Sequence, residues 1–291
     1  MNKNGNTTEW NGYKIMQNEK FMKIYCKHKN FEILKIDNTI VYFHMLPIFG
    51  YTFMKMHSPD LENILVTIQK AQTICKERNA AILEILTPYK DSAIEKSIVK
   101  SDGTFIKNLD SPEDYLWTHL NKTTRNYVRQ AEKKGVTIEY AKNENDFKDW
   151  WKVYESTAGI KKFSAQPRSL VYETFKYPDI SRLFVAKVDD KVVAGAFLLI
   201  DKVPLYWLGA TDLSYIKDRP NNLLHWEIIK WAKKQGYPYY DMGGAVITKE
   251  HGPTKFKKGF GGEYRQYYIY RIPIGFIKSK IVETALKLYK Q

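Results

Sequence analysis

Residues 239–262 read YYDMGGAVITKEHGPTKFKKGFGG. A strand-type run from Tyr237 to Met242 breaks at Gly243 and Gly244. It passes through a loop with His251, Gly252 and Pro253, then enters a short basic helix over Lys255 to Lys258. Gly259, Gly261 and Gly262 close that helix. Paired glycines at a strand end let a ligand approach the backbone, because no Cβ stands in the way. The cations beyond them suit a phosphate or a developing negative charge. The same residues also make an ordinary strand–turn–helix joint with a solvated basic face, and the stretch alone does not separate the two readings.

Working backwards, the residues from Val136 predict strand 136–141, helices 144–157 and 168–176, and strands 182–188, 191–200 and 204–210. A helix at 221–235 then leads into the 237–242 strand, the 255–258 helix and a strand over 264–272. Asp189-Asp190 supplies a turn between two of these strands. Upstream, Ser111-Pro112-Glu113-Asp114 reads as a helix start, with Ser as the cap and acids at the positive end of the dipole. A further helix over Thr123 to Lys134 is expected to stop at Gly135. The first ~110 residues read as mixed α/β, with helices near 18–27 and 61–78 and strands near 31–36, 39–46 and 80–86. Asp37-Asn38 marks a hairpin. The chain finishes in an amphipathic helix, about 275–290, whose Phe276, Ile277, Ile281, Ala285 and Leu288 suit packing on the first domain ahead of lying on a membrane surface.

With 291 residues, the chain can form one large domain or two smaller ones. Its 46 Lys and Arg outnumber 32 Asp and Glu, giving a net charge of +14. Such a surplus favours a polyanionic partner: nucleic acid, anionic lipid or a phosphorylated substrate. Cys26 and Cys75 are isolated from each other and from any CxxC, which reads as reduced thiols of a cytoplasmic protein. The opening MNKNGNTTEW is polar, and no apolar run of membrane-spanning length occurs. The six histidines show no metal-ligand spacing, so neither a metal nor a cofactor is expected.

The order of elements from residue 136 resembles the GNAT N-acetyltransferase fold. The whole chain resembles the Fem family of non-ribosomal peptidyl aminoacyltransferases, which build peptidoglycan cross-bridges. Four stretches carry the resemblance: RNYVRQA at 125–131 with Lys133, Lys134 and Gly135; DKVVAGA at 190–196; LGA at 208–210 with PNNLLHWE at 220–227 and Trp231-Ala232; and YDMGG at 240–244 with FKKGFG at 256–261. The match is good over roughly residues 111–270 and holds only in outline before that. His57-Ser58-Pro59 stands where a Gly-Pro element is common in the family. The resemblance implies an α+β chain of two GNAT-like domains, 1–134 and 135–273, without a coiled-coil insertion. Helix 274–291 would pack back on the first domain.

It further implies transfer of an amino acid from aminoacyl-tRNA to an amine of a cell-wall peptide precursor, either phosphorylated (UDP-linked) or lipid-linked. The protein would be cytoplasmic, with peripheral contact at the inner membrane face. An ester donor is already activated, so no protein nucleophile is needed; the site must orient two substrates and hold an oxyanion. Lys257 matches the family's Phe-Lys pair and is the leading catalytic candidate, with Phe256 as a stacking surface for the terminal base. Asp241 either serves as a base or substrate contact, or bonds its own turn. Gly243 and Gly244 border the groove. Lys122, Arg125, Arg129 and Lys133 form one basic stripe, either for phosphates or as a solvated face. Between residues 215 and 222, where GNAT enzymes carry a glycine-rich CoA turn, this chain has YIKDRPNN, and Pro220 lacks an N–H. Lys217 and Arg219 there suit acceptor phosphates. An acyl-CoA or acyl-carrier N-acyltransferase is the alternative, and a non-enzymatic RNA-binding protein the next.

Overall fold

The computed structural model describes residues 14–45, 50–59, 64–90, 92, 94, 97–244 and 252–288. His251 lies outside them. The described chain divides into two compact units, 103–265 and 14–102 with 266–288. The chain passes from one to the other within strand β5 (Ile98–Asn108) and returns within β11 (Glu263–Pro273). The division therefore falls at residue 102/103, whereas the sequence suggested 134/135. Helix α4 (Lys122–Lys133) explains the difference. It buries Val128 and Ala131 in the same core as α7 (Pro220–Lys234), so it belongs to the unit that contains α7.

In the 103–265 unit the strands lie in the order β5, β10 (Tyr239–Gly244), β9 (Leu205–Thr211), β8 (Lys191–Leu199), β7 (Ser181–Val188) and β6 (Thr137–Tyr140). The last four form an antiparallel meander. Asp189 and Asp190 turn β7 into β8, both with positive φ, the conformation that a tight hairpin requires and that Asp tolerates. Helix α7 returns the chain so that β10 enters parallel to β9, while β5 pairs antiparallel with β10. A single register pair, Asp241 with Leu205, joins β9 to β10. Beyond it Gly243 still packs against the Tyr206 carbonyl, with no further register pair.

Helices α5 (Glu144–Lys161) and α6 (Arg168–Phe175) complete the unit. Asn143 caps α5 through Asn145 N and Asp146 N, and Asn121 caps α4 through Thr124 N at 2.7 Å. Helix α3 (Glu113–Thr118) departs from expectation: its N-cap is Pro112, with no side-chain cap, and Ser111 stands one residue too early to bond the first turn.

The other unit holds α1 (Glu19–Lys29), then strands in the order β1 (Glu32–Ile36), β2 (Thr39–Met45), β3 (Thr52–His57), β4 (Ala80–Thr87) and β11. Ile36 faces Thr39 across the Asp37-Asn38 turn, as the hairpin reading expects. Helix α2 (Ile64–Glu77) carries the chain from β3 to a parallel β4 and buries Ile64, Ile68, Ala71 and Cys75 at helical spacing. Here the parallel pair stays in register from Phe53–Ile82 to His57–Leu86. Helix α9 (Phe276–Leu288) lays Val282 against Phe53, Ala81 and Ile82 of this unit. Among the described residues no helix is long and apolar enough to cross a membrane.

Candidate active site

A cavity of about 950 Å³ opens in the 103–265 unit. The start of α4, the start of α7 and helix α8 (Gly252–Gly259) wall it, together with Tyr206 and Thr211 of β9. Five cationic residues line it, Lys161, Arg219, Lys255, Lys257 and Lys258, and no carboxylate stands among the described lining residues. Clustered positive charge in a concave, partly apolar wall raises the local concentration of an anionic ligand.

Lys257 is 7% exposed, in the last turn of α8. Its ammonium donates to the carbonyls of Gly243 at 2.8 Å and Gly244 at 2.6 Å, at the end of β10. Burial pulls its pKa down to about 8, against a smaller opposing pull from Asp241. Two of its three N–H bonds are thus committed to backbone, and Lys257 also lines the cavity. Gly243 has φ +77°, and a Cβ built there would lie 2.9 Å from the Tyr206 carbonyl, so this position needs glycine on both counts.

Asp241 lies behind that wall. It is 2% exposed, is not among the lining residues, and its Oδ1 accepts from Gly243 N at 2.8 Å and from the Thr104 hydroxyl. Its side chain bonds its own turn, which holds the glycine pair in place. Phe256 is half-buried at the cavity wall, edge-on to the His225 ring at 5.0 Å and 5.0 Å from Phe260.

Arg219 occupies the residue before α7 with φ +58°, and its guanidinium lies 4.0 Å from the Tyr127 ring centre. Pro220 follows at the first helical position, and Asn222 N is already bonded to Arg219 O. The α7 start therefore offers few free amides to a pyrophosphate.

The basic stripe divides. Arg125 donates to the carbonyls of Thr118 (2.6 Å) and Leu120, closing the segment after α3. Arg129 places its guanidinium over Trp117 at 5.3 Å and, with Asn126, Gln130, Lys133 and Lys134, lines a separate depression of about 400 Å³. Lys122 and Lys217 are exposed and do not line the main cavity. Of the ten site residues expected from sequence, the cavity wall holds Arg219, Phe256 and Lys257, with Gly243 and Gly244 bonded to Lys257. Sequence reasoning missed Lys161, Tyr206 and His225. Lys161 and Tyr206 sit in unremarkable local contexts; His225 stood within the PNNLLHWE stretch with no role attached to it.

Residues 119–258 match the model of an acetyltransferase (GNAT) domain. No curated protein matches the sequence significantly. Among solved structures, FemX superposes with a TM-score of 0.71 at 14% identity, covering 95% of this chain and 99% of its own. The C-terminal domain of a putative lysylphosphatidylglycerol synthetase from Agrobacterium fabrum gives 0.66 at 11%, over 95% and 97%. L-PGS from Bacillus licheniformis gives 0.62 at 13%, over 91% and 94%. At these identities the likeness is one of fold: two GNAT-like domains in an α+β chain, the second bearing the cavity, with no coiled-coil insertion among the described residues.

Proposed function

We propose that this protein transfers an amino acid from aminoacyl-tRNA to an amine of a cell-wall peptide precursor. The observation that supports this best is the 950 Å³ cavity of the 103–265 unit, lined by five cations and no described carboxylate. A tRNA 3′ end brings phosphates, a base and an ester together. Arg219, Lys161, Lys255 and Lys258 suit the phosphates, and Phe256 offers a ring to the base. Lys257 supplies a positive charge beside the ester carbonyl. The acceptor amine attacks that carbonyl, an oxyanion forms, and the ribose hydroxyl leaves. Orientation and charge stabilisation then account for the rate without a protein nucleophile. Pro220 at the start of α7 favours this donor over acyl-CoA, because the first helical position has no N–H and the Asn222 amide is already bonded to Arg219 O. The likeness to FemX fits the amine acceptor. The likeness to a lysylphosphatidylglycerol synthetase favours a second acceptor class, the hydroxyl of a lipid headgroup.

The test offers labelled aminoacyl-tRNA and acyl-CoA in parallel, each with UDP-linked and lipid-linked wall precursors and with phosphatidylglycerol vesicles. Label moving from aminoacyl-tRNA to a precursor amine is the expected result. Transfer from acyl-CoA alone overturns the donor, transfer to phosphatidylglycerol alone overturns the acceptor, and RNA binding without transfer overturns the enzyme.

A further inference from the structure

Residues three and four apart share a helical face, and on α7 Asn221, Asn222 and His225 all line the cavity. His225 is only 1% exposed. Its ring is held edge-on by Tyr206 at 4.7 Å and Phe256 at 5.0 Å, with Phe260 at 5.8 Å. Nδ1 stands 3.0 Å from the hydroxyl of Tyr240, a fully buried residue of β10. Nε2 has no partner among the described residues, and its ring forms part of the cavity wall.

The donor count fixes the tautomer. A phenol has one proton to donate, and leaving a buried donor unpaired costs about 1–3 kcal/mol. Among the described residues Nδ1 of His225 is the partner of the Tyr240 hydroxyl. That O–H therefore donates to the Nδ1 lone pair, and the ring proton sits on Nε2. Burial, reinforced by the nearby Lys257 charge, drives the pKa of His225 down to about 3, so the ring is a neutral imidazole. An immobilised, uncharged N–H donor then belongs to a ring in the cavity wall. A donor that needs no reorganisation is what a developing oxyanion requires.

We propose that His225 is a catalytic residue of acyl transfer, its Nε2–H donating to the oxygen of the reacting carbonyl, and that Tyr240 is the positioning residue that sets its tautomer. This rests on the aminoacyl-transfer reading above. The acceptor nitrogen gives its lone pair to the carbonyl carbon and forms the C–N bond, while the carbonyl π pair moves onto oxygen. Nε2–H and Lys257 hold that negative charge. On collapse the C=O bond re-forms and the ester C–O bond breaks. The ribose oxygen leaves with its electron pair and takes up the proton lost from nitrogen, so the imidazole keeps its own.

The test measures single-turnover transfer and KM for wild type, His225→Phe, His225→Gln and Tyr240→Phe, with thermal melts for each. Long-range 1H–15N spectra of wild type and Tyr240→Phe accompany them. Loss of one oxyanion donor lowers kcat by about 10²–10³-fold. His225→Phe is expected to show that loss with KM for the donor within about twofold, and His225→Gln, which keeps an N–H, to recover part of it. Tyr240→Phe is expected to lower kcat although it removes nothing from the cavity. In the wild-type spectrum Nδ1 is expected to be pyridine-type and Nε2 pyrrole-type, with Tyr240→Phe mixing the two. A folded His225→Phe at the wild-type rate, or a wild-type spectrum of the opposite tautomer, overturns the proposal. If His225→Phe does not fold, the rate and spectrum of Tyr240→Phe decide. Wild-type transfer from acyl-CoA alone overturns only the donor assignment, and the same variants then decide His225 with that donor. No transfer from either donor overturns both.

Discussion

Replacing Lys257 with Met separates chemistry from folding, because the two stability effects of the change oppose each other. Burial holds the lysine at about 8 rather than 10.5, so keeping it charged at neutral pH costs about 3 kcal/mol, which an apolar side chain of similar length does not incur. Against this, the carbonyls of Gly243 and Gly244 lose a charged donor at 2.8 and 2.6 Å, at about 1–3 kcal/mol each. The net destabilisation is at most about 3 kcal/mol, within the roughly 5–15 kcal/mol that a folded domain has. The variant should therefore fold, and its transfer rate should report on the cation beside the ester. A loss of at least tenfold, about 1.4 kcal/mol of barrier, is expected.

The pH dependence of stability checks the same residue by another route. A lysine whose folded pKa lies below its unfolded value binds fewer protons folded than unfolded between about pH 8 and 10.5, so stability from this group rises with pH across that window. Urea unfolding of wild type and Lys257→Met at pH 7 and pH 10 should show the wild type gaining on the variant at the higher pH. Single-turnover transfer of labelled aminoacyl groups at pH 7 gives the rate. A folded variant that transfers at the wild-type rate refutes the catalytic role. Parallel stability profiles refute the burial argument beneath it.

Arg125→Ala is expected to cost about 1–3 kcal/mol in denaturant unfolding, because the Thr118 and Leu120 carbonyls lose their donor. Unchanged stability with weakened RNA binding would instead return this guanidinium to a ligand. Gly243→Ala is expected to cost about 1–3 kcal/mol, through its positive φ and the contact with the Tyr206 carbonyl, and to cut transfer by disturbing the anchor of Lys257; an unshifted melt would contradict it. If Lys161, Arg219, Lys255 and Lys258 each meet one phosphate, log K for a single-stranded tRNA end should fall with log salt at a slope near −3, from about −0.7 per phosphate. A slope near zero in fluorescence titrations would remove these four from RNA binding.

The sequence disclosed most where local chemistry agreed with the final fold. Asp37-Asn38 and Asp189-Asp190 are turns because both flanking runs are strands and Asp tolerates positive φ. In the 239–262 stretch the strand and the basic helix are found, but β10 runs on through Gly243 and Gly244 with a register shift after Asp241, and α8 already begins at Gly252, which the sequence placed in the loop. Two strands escaped notice. β3 is TFMKMH, whose methionines and lysine give no β-branched signature. β5 contains Ser101-Asp102-Gly103, a turn signal in the middle of a strand. Its glycine has a packing cause: a Cβ at 103 would fall inside the Tyr264 ring. Missing β5 hid Thr104, and with it the hydroxyl that helps to fix Asp241.

The site shows the same limit more sharply. Spacing along α4 suggested a single basic stripe of four, but spacing says nothing about what each head group meets. Arg125 turns to carbonyls seven and five residues before it, while Arg129 lies over Trp117. Conversely, His225 carries no local signal, because its environment is made by Tyr206 from β9, Tyr240 from β10 and Phe256 from α8. A lone histidine within an apolar helix acquires a fixed tautomer only when three other elements close around it. The cavity wall is drawn from α4, β9, α7 and α8, and which of their residues face it is decided by how those elements meet, which local sequence patterns do not record.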